Sequence, residues 1–184
     1  MLRDEIITVF GGSGFVGRHV VRALAKAGYR VRVATRRPHL AQDLRVMGVV
    51  GQVQLVQANL RVAASVERAL DGASGVVNLV GVLNESGHQT FSRLHAVGTA
   101  TIAQAAAGMG IERMVQISAI GASADSASRY ARTKAEGEAA VLAAMPDAFS
   151  QAMSARRSWP PSSAPTRVAR PMSWAGRASI HSKS

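Results

Sequence analysis

Between Thr8 and Gly17 the chain reads T-V-F-G-G-S-G-F-V-G, an apolar run that breaks into glycines at 11, 14 and 17 and then into a helical pattern. Few features restrict a fold as much. A strand ending in glycines so spaced, and turning at once into a helix, can bring its backbone against a pyrophosphate. Gly11 permits the tight turn out of the strand, Gly14 leaves no Cβ between backbone and phosphate, and Gly17 lets the helix pack close to the sheet. The first N–H groups of that helix lack acceptors and carry partial positive charge, so an anion seated there satisfies both. With the glycines placed between the β-like Ile6–Phe10 and the helix-like Phe15–Ala27, the loop Gly11, Ser13, Gly14, Phe15, Val16 and Gly17 is the expected dinucleotide cradle.

The first 148 residues continue this alternation. Strands are expected at Arg30–Thr35, Val53–Ala58, Gly75–Val80 and Arg113–Ser118, and helices at Pro38–Met47, Val62–Leu70, Thr90–Gly108 and Ser128–Ala144. Gly28 closes the first helix, Pro38 opens the second and Pro146 follows the last. Gly75–Val80 is nearly all apolar, as a strand covered on both faces should be. The pattern predicts an α/β fold, a Rossmann-type doubly wound parallel sheet of order 3-2-1-4-5. Its site should lie above the first and fourth strands, where the winding reverses.

Residues 149–184 read differently. They hold nine serines, six alanines, five arginines, four prolines and both tryptophans, with no acid. Neither alternation nor helical periodicity persists there, and such a composition buries too little apolar surface to offset its chain entropy. The expectation is a disordered tail, frameshifted or non-native, since a G+C-rich reading frame gives such text when shifted. The Rossmann domain would then end at 148, incomplete, with its fifth strand an exposed edge.

The same division qualifies the net charge of +11. Residues 1–148 carry 16 Lys and Arg against 11 Asp and Glu, whereas 149–184 carry 6 against none. The domain itself lacks the basic, aromatic-interleaved surface of a nucleic-acid binder, so no specific nucleic acid is expected. There is no cysteine, which excludes disulfides and thiolate sites, and no His, Asp or Glu grouping has metal spacing. No run of about 18 apolar residues is present, and the start of the chain lacks a signal-peptide apolar region, which points to the cytoplasm.

The 11/14/17 glycines, the Tyr130-Ala-Arg-Thr-Lys134 segment and the run Leu94-His-Ala-Val-Gly-Thr99 together resemble the short-chain dehydrogenase/reductase superfamily. The extended and atypical branch, of NAD-dependent epimerase/dehydratase type, fits best. Val76–Leu83 and Gln116–Ala122 look like the bacterial relatives of the nucleotide-binding accessory subunit of respiratory complex I. The resemblance covers about residues 5–148. It implies a nucleotide with a structural or regulatory role, and association with complex I or peripherally with the inner face of the cytoplasmic membrane. The alternative it implies is an NADPH-dependent reductase or epimerase/dehydratase acting on a carbonyl or sugar-like substrate.

In that superfamily the lysine holds the nicotinamide ribose and favours ionisation of the tyrosine, which exchanges a proton. Tyr130 and Lys134 are one helical turn apart on one face, as this needs. The resemblance places Ser118 nearest the substrate-holding hydroxyl, the other reading being a simple cap on the strand end. Val80, Gly81 and Val82 would touch the adenosine ribose, and Asn59 and Leu60 would face the adenine. Arg36 and Arg37 stand beside Thr35, where NAD-preferring relatives carry an acid. Two guanidinium groups there suit a 2′-phosphate, so NADP(H) is expected over NAD(H), the other reading being a solvated basic loop. His95, where many relatives have Asn, is expected to bridge its helix to the backbone of the fourth or fifth strand.

Overall fold

The computed structural model describes residues 2–152 apart from His88 and Asp147. Its sheet is parallel throughout. The strands are β1 (Ile6–Phe10), β2 (Arg30–Thr35), β3 (Val53–Gln57), β4 (Gly75–Asn78), β5 (Met114–Ser118) and β6 (Phe149–Ala152), in the spatial order β3-β2-β1-β4-β5-β6. Four α-helices link them: α1 (Phe15–Lys26), α2 (Ala63–Leu70), α3 (Gly98–Gly108) and α4 (Arg129–Ala144). The expected order 3-2-1-4-5 is present.

Alternation along each strand divides the core in two. Ile7, Val9, Val31, Val33 and Val77 pack under α1 with Val21 and Leu24. Phe10, Ala34, Val76 and Met114 face the opposite layer, where they meet Val66 of α2, Ile102 of α3 and Val141 of α4. Burial on both faces explains why the strands read as near-continuous apolar runs.

The winding reverses between β1 and β4, where Phe10 pairs with Asn78. The backbone just beyond both strand ends therefore converges there, which places the glycine loop beside Leu79–Gly81.

Three expectations require correction. The sheet does not stop at β5, because β6 pairs with it in parallel from Val115↔Phe149 to Ser118↔Ala152. Helix α4 ends before Pro146 and the chain returns alongside β5, so the backbone groups of β5 are paired on both sides. Four residues in a strand were hidden by the composition of the 36 that contain them. The expectations of disorder and a shifted frame for 153–184 lie outside the described residues.

The segment expected as a helix at Pro38–Met47 forms two 3₁₀ turns, Pro38–Leu40 and Gln42–Met47. Its backbone bonds span three residues, as in Ala41 to Pro38 and Leu44 to Ala41. The helix expected from Thr90 begins with a π-helical segment, Ser92–Val97, before α3. Its wider turn carries His95, and such bulges concentrate at functional sites.

Candidate functional site

The loop after β1 has the geometry its glycines suggested. Gly11 has φ +78°, the left-handed region that suits glycine, and a Cβ there would press on the Leu79 carbonyl carbon at 3.0 Å. A Cβ on Gly17 would lie 2.3 Å from the Gly11 oxygen, so only glycine lets α1 approach the loop this closely. Gly14 differs. Its imagined Cβ meets only the Gly11 oxygen, at 3.3 Å, and the residue is exposed.

Gly14 is also the N-cap of α1, without a side-chain cap and without an acid in the first turn. By contrast, α4 is capped by Ser128, whose Oγ accepts from the Ala131 N–H. The opening N–H groups of α1 thus face an open cradle with no internal acceptor supplied by a side chain. Ser13 and Val16 are half-buried beside it, and Phe15 is exposed with its ring edge-on to His19.

Beyond β4 the chain runs through Val80, Gly81 and Val82. The Val80 N–H donates to Asn78 Oδ1 at 3.1 Å. Asn78 is buried, and its amide nitrogen donates to Gln116 Oε1 at 2.7 Å and to Thr99 Oγ1 at 3.1 Å. This network ties β4 to β5 and α3 directly below the site. At Gly81 a Cβ would lie 3.3 Å from Lys134 Nζ and 3.7 Å from His95 Nε2, so the glycine lets the lysine head approach the strand-end backbone.

Tyr130 and Lys134 share one face of α4. Lys134 is only 4% exposed, and its Nζ donates to the Ile117 carbonyl at 3.2 Å. Burial lowers its pKa, opposed by the nearby Glu138. Tyr130 is half-buried, its ring edge-on to His95 at 5.2 Å and to Phe91 at 5.6 Å. Ser118, at the end of β5, is buried on the same strand face as Gln116, and its Oγ has no hydrogen-bond partner among the described residues. A buried hydroxyl without a partner is costly and uncommon, so this position calls for a partner from beyond the described residues.

His95 forms the bridge expected of it, to a point just past β4. Its Nε2 accepts from the Val82 N–H at 3.1 Å, while Nδ1 lies 3.2 Å from Thr133 Oγ1. Burial first, and then the Lys134 charge, lower its pKa to about 4, with Glu85 opposing.

The ends of β2 and β3 are less enclosed. Arg36 and Arg37 are exposed beyond β2, and neither has an ion-pair partner among the described residues. The Thr35 hydroxyl accepts from the Arg37 N–H at 3.5 Å. Asn59 turns its Oδ1 back to accept from the Arg61 N–H at 3.1 Å. Leu60 packs against Gly98.

The structure therefore gathers the glycine loop, Val80–Val82, Ser118, Tyr130 and Lys134 at the carboxyl ends of adjacent strands, with Arg36, Arg37, Asn59 and Leu60 at the ends of β2 and β3. Motif reading missed Phe91, Thr133 and Gly137. The last had a signal, a glycine inside a helix, where it costs about 1 kcal/mol against alanine and so needs a packing reason. A Cβ there would lie 2.2 Å from the His95 carbonyl oxygen. Among the described residues no cluster of His, Asp or Glu could hold a metal, and no helix is long and apolar enough to cross a membrane.

A parallel sheet wound both ways, with a glycine loop leading into an uncapped helix at the reversal point, defines a Rossmann-type dinucleotide-binding protein. The model of the NAD dependent epimerase/dehydratase family matches residues 7–158, and the chain belongs to that family. It is 37% identical over 145 residues to the mitochondrial NADH dehydrogenase [ubiquinone] 1 alpha subcomplex subunit 9 of Arabidopsis thaliana, covering 78% of this chain and 36% of that protein. It is 34% identical over 144 residues to the ceramide reductase of Caulobacter vibrioides, covering 78% of this chain and 44% of the reductase. The chain thus spans less than half the length of these curated relatives. Among solved structures, the Bordetella bronchiseptica enzyme WbmG in complex with NAD and UDP superposes with a TM-score of 0.64 at 17% identity, covering 78% of this chain and 51% of that one.

Proposed function

We propose that this chain is the NAD(P)-binding domain of an atypical short-chain dehydrogenase/reductase, in which the nucleotide has a structural or regulatory role and NADP(H) is preferred. The open cradle at Gly14 carries the reading. Backbone N–H groups of the loop and of the first turn of α1 would hold the pyrophosphate, and Lys134 would hold the nicotinamide ribose. Asn59, Leu60 and Val80–Val82 would line the adenosine, with Arg36 and Arg37 on a 2′-phosphate. The complex I subunits among the relatives support a place in, or beside, respiratory complex I.

Calorimetry with NADPH and NADH tests the reading. Gly14→Val should fold with a shift of a few tenths of an ångström, since its Cβ would meet only the Gly11 oxygen at 3.3 Å, yet lose binding because the branched side chain takes the pyrophosphate's place. NADPH should bind at least about tenfold more tightly than NADH, the worth of one good charge-assisted hydrogen bond, and Arg36→Ala should narrow the gap. Unchanged affinity in Gly14→Val would remove the site, and equal affinities unaffected by Arg36→Ala would remove the preference.

A second reading, an NADPH-dependent reductase or epimerase/dehydratase, is favoured by the Ser118 hydroxyl, which has no partner among the described residues and sits next to the Ile117 carbonyl that Lys134 reaches. The bound nucleotide would supply hydride chemistry. This chain's residues would orient a carbonyl through Ser118 and move a proton at the Tyr130 hydroxyl, aided by the Lys134 charge. NADPH oxidation with aldehydes, ketones and quinones separates the two readings. Little or no turnover is expected, because holding a substrate in a dry site contributes ~7–11 kcal/mol to barrier lowering, and Tyr130 is only half-buried among the described residues. Turnover of the order of ~10 per second, lost in Tyr130→Phe, would establish the enzyme instead.

A further inference from the structure

His95 stands where three parts of the site meet. It is 1% exposed and lies in the π-helical segment ahead of α3. One ring nitrogen reaches the strand-end loop at Val82, and the other reaches Thr133 on α4. The Thr133 hydroxyl in turn donates to the Tyr130 carbonyl at 3.0 Å.

Donor and acceptor roles follow without ambiguity. A backbone N–H only donates, so Nε2 must accept from Val82. The single Thr133 hydroxyl proton is committed to Tyr130, so Thr133 Oγ1 must accept from Nδ1–H. Both roles are met only by a neutral ring protonated on Nδ1. Aromatic packing adds to the hold. Phe91 stacks on the imidazole at 5.5 Å with planes 17° apart, and both rings meet the Tyr130 ring edge-on. Phe91 is itself fixed by its N–H donating to Glu85 Oε1 at 2.7 Å, and Glu85 pairs with Arg129 at 3.1 Å. Gly137 lets α4 close on the His95 carbonyl.

We propose that His95 is a positioning residue that couples the nucleotide-facing loop to Tyr130, through Nε2 to the Val82 N–H and through Nδ1–H and Thr133 to the first turn of α4. The inference rests on the nucleotide-binding reading above for what the loop does, and on geometry alone for what holds it. Charged groups facing the ring are Lys134 from α4 and Glu85 from the loop after β4. The net surroundings keep the imidazole neutral, which is the form the two bonds require.

The two links can be cut separately. A glutamine amide oxygen reaches about where Nε2 stands, and an asparagine amide nitrogen about where Nδ1 stands. His95→Gln therefore keeps the Val82 link, whereas His95→Asn keeps only the Thr133 link. Thr133→Val cuts the second link and leaves all three rings in place.

Histidine ¹⁵N spectra between pH 5 and 8, assigned by His95→Gln, should show one neutral ring protonated on Nδ1. NADPH affinity by calorimetry should stay within about threefold of wild type in His95→Gln and fall about tenfold or more in His95→Asn. In Thr133→Val, with affinity nearly kept, the Tyr130 ring resonances should move; the chain has only two tyrosines, so the signal is assignable with Tyr130→Phe. An Nε2–H tautomer, or a charged ring at pH 6, overturns the proposal. So do equal affinity losses in the Gln and Asn variants, which would mean that His95 only fills space, and so do Tyr130 signals unmoved in Thr133→Val. If the wild-type chain binds neither nucleotide, the proposed function falls, while the tautomer and the Tyr130 signals still decide the role of His95.

Discussion

Gly14 and Gly17 belong to one loop and are glycine for different reasons. At Gly17 any side chain collides with backbone, so the requirement is imposed by the fold and exists without a ligand. At Gly14 a Cβ would meet only the Gly11 oxygen, at 3.3 Å, so the fold asks for glycine far less strictly. The proposed approach of a pyrophosphate to this backbone adds a second reason. His95 shows a comparable division between holding and titrating. Its pKa in the folded chain, about 4, lies below the ordinary 6.5, chiefly through burial. As pH falls through about 6.5 the unfolded chain takes up a proton that the folded chain refuses until about pH 4. Stability tied to His95 is therefore fully present above that window and declines across it as pH drops. The midpoint of thermal unfolding should fall between pH 7 and pH 5 by a greater amount in wild type than in His95→Gln, which has no titrating group there. Parallel curves for the two proteins would mean that the imidazole is not held neutral.

Among the elements, β4, β5 and α3 are locked by a buried polar network rather than by apolar contact alone. Asn78 spends its amide hydrogens on Gln116 and Thr99 and its oxygen on the Val80 N–H, so the strand end that carries the site is fixed from below. Gln116→Leu matches the volume but leaves one Asn78 donor without its partner. The expected loss is about 1–3 kcal/mol, the cost of an unsatisfied buried group, measurable by urea unfolding. A loss below about 0.5 kcal/mol would mean that water takes Gln116's place. The sequence showed the elements clearly where burial is two-sided or a glycine had one function, as at Ile6–Phe10 and Gly11–Gly17. It showed Tyr130 and Lys134 as well, since a one-turn spacing is a local fact. It did not show the network, because Asn78, Thr99 and Gln116 lie far apart in the chain and meet only through strand pairing. Nor did it show the π-helical turn at Ser92–Val97, which lies against α4 where Gly137 meets the His95 carbonyl, a contact far apart in the chain. The 3₁₀ turns at 38–47 were misread as one helix because Pro38 is an equally good opening residue for either.

At the scale of the molecule, β6 changes what kind of object the domain is. Without it, β5 would present Met114–Ser118 as an unpaired edge, and Ser118 would lose the neighbour that pairs with it, Ala152. Exposed parallel edges of this kind template association with other chains. The family match continues past this strand to residue 158, so the strand belongs to the shared domain rather than to whatever follows. Two shortened chains test its contribution, one ending at Ala148 and one at residue 158. The longer keeps β6 and should sediment as the full chain does. The shorter should unfold at lower urea and form concentration-dependent oligomers in sedimentation velocity, because β5 would find its partner in another molecule. Its NADPH affinity should fall less than its stability, since the glycine loop lies three strands away, between β1 and α1. A 148-residue chain that stays monomeric and as stable as the 158-residue chain would show that the edge of β5 is harmless and that the domain closes without its sixth strand.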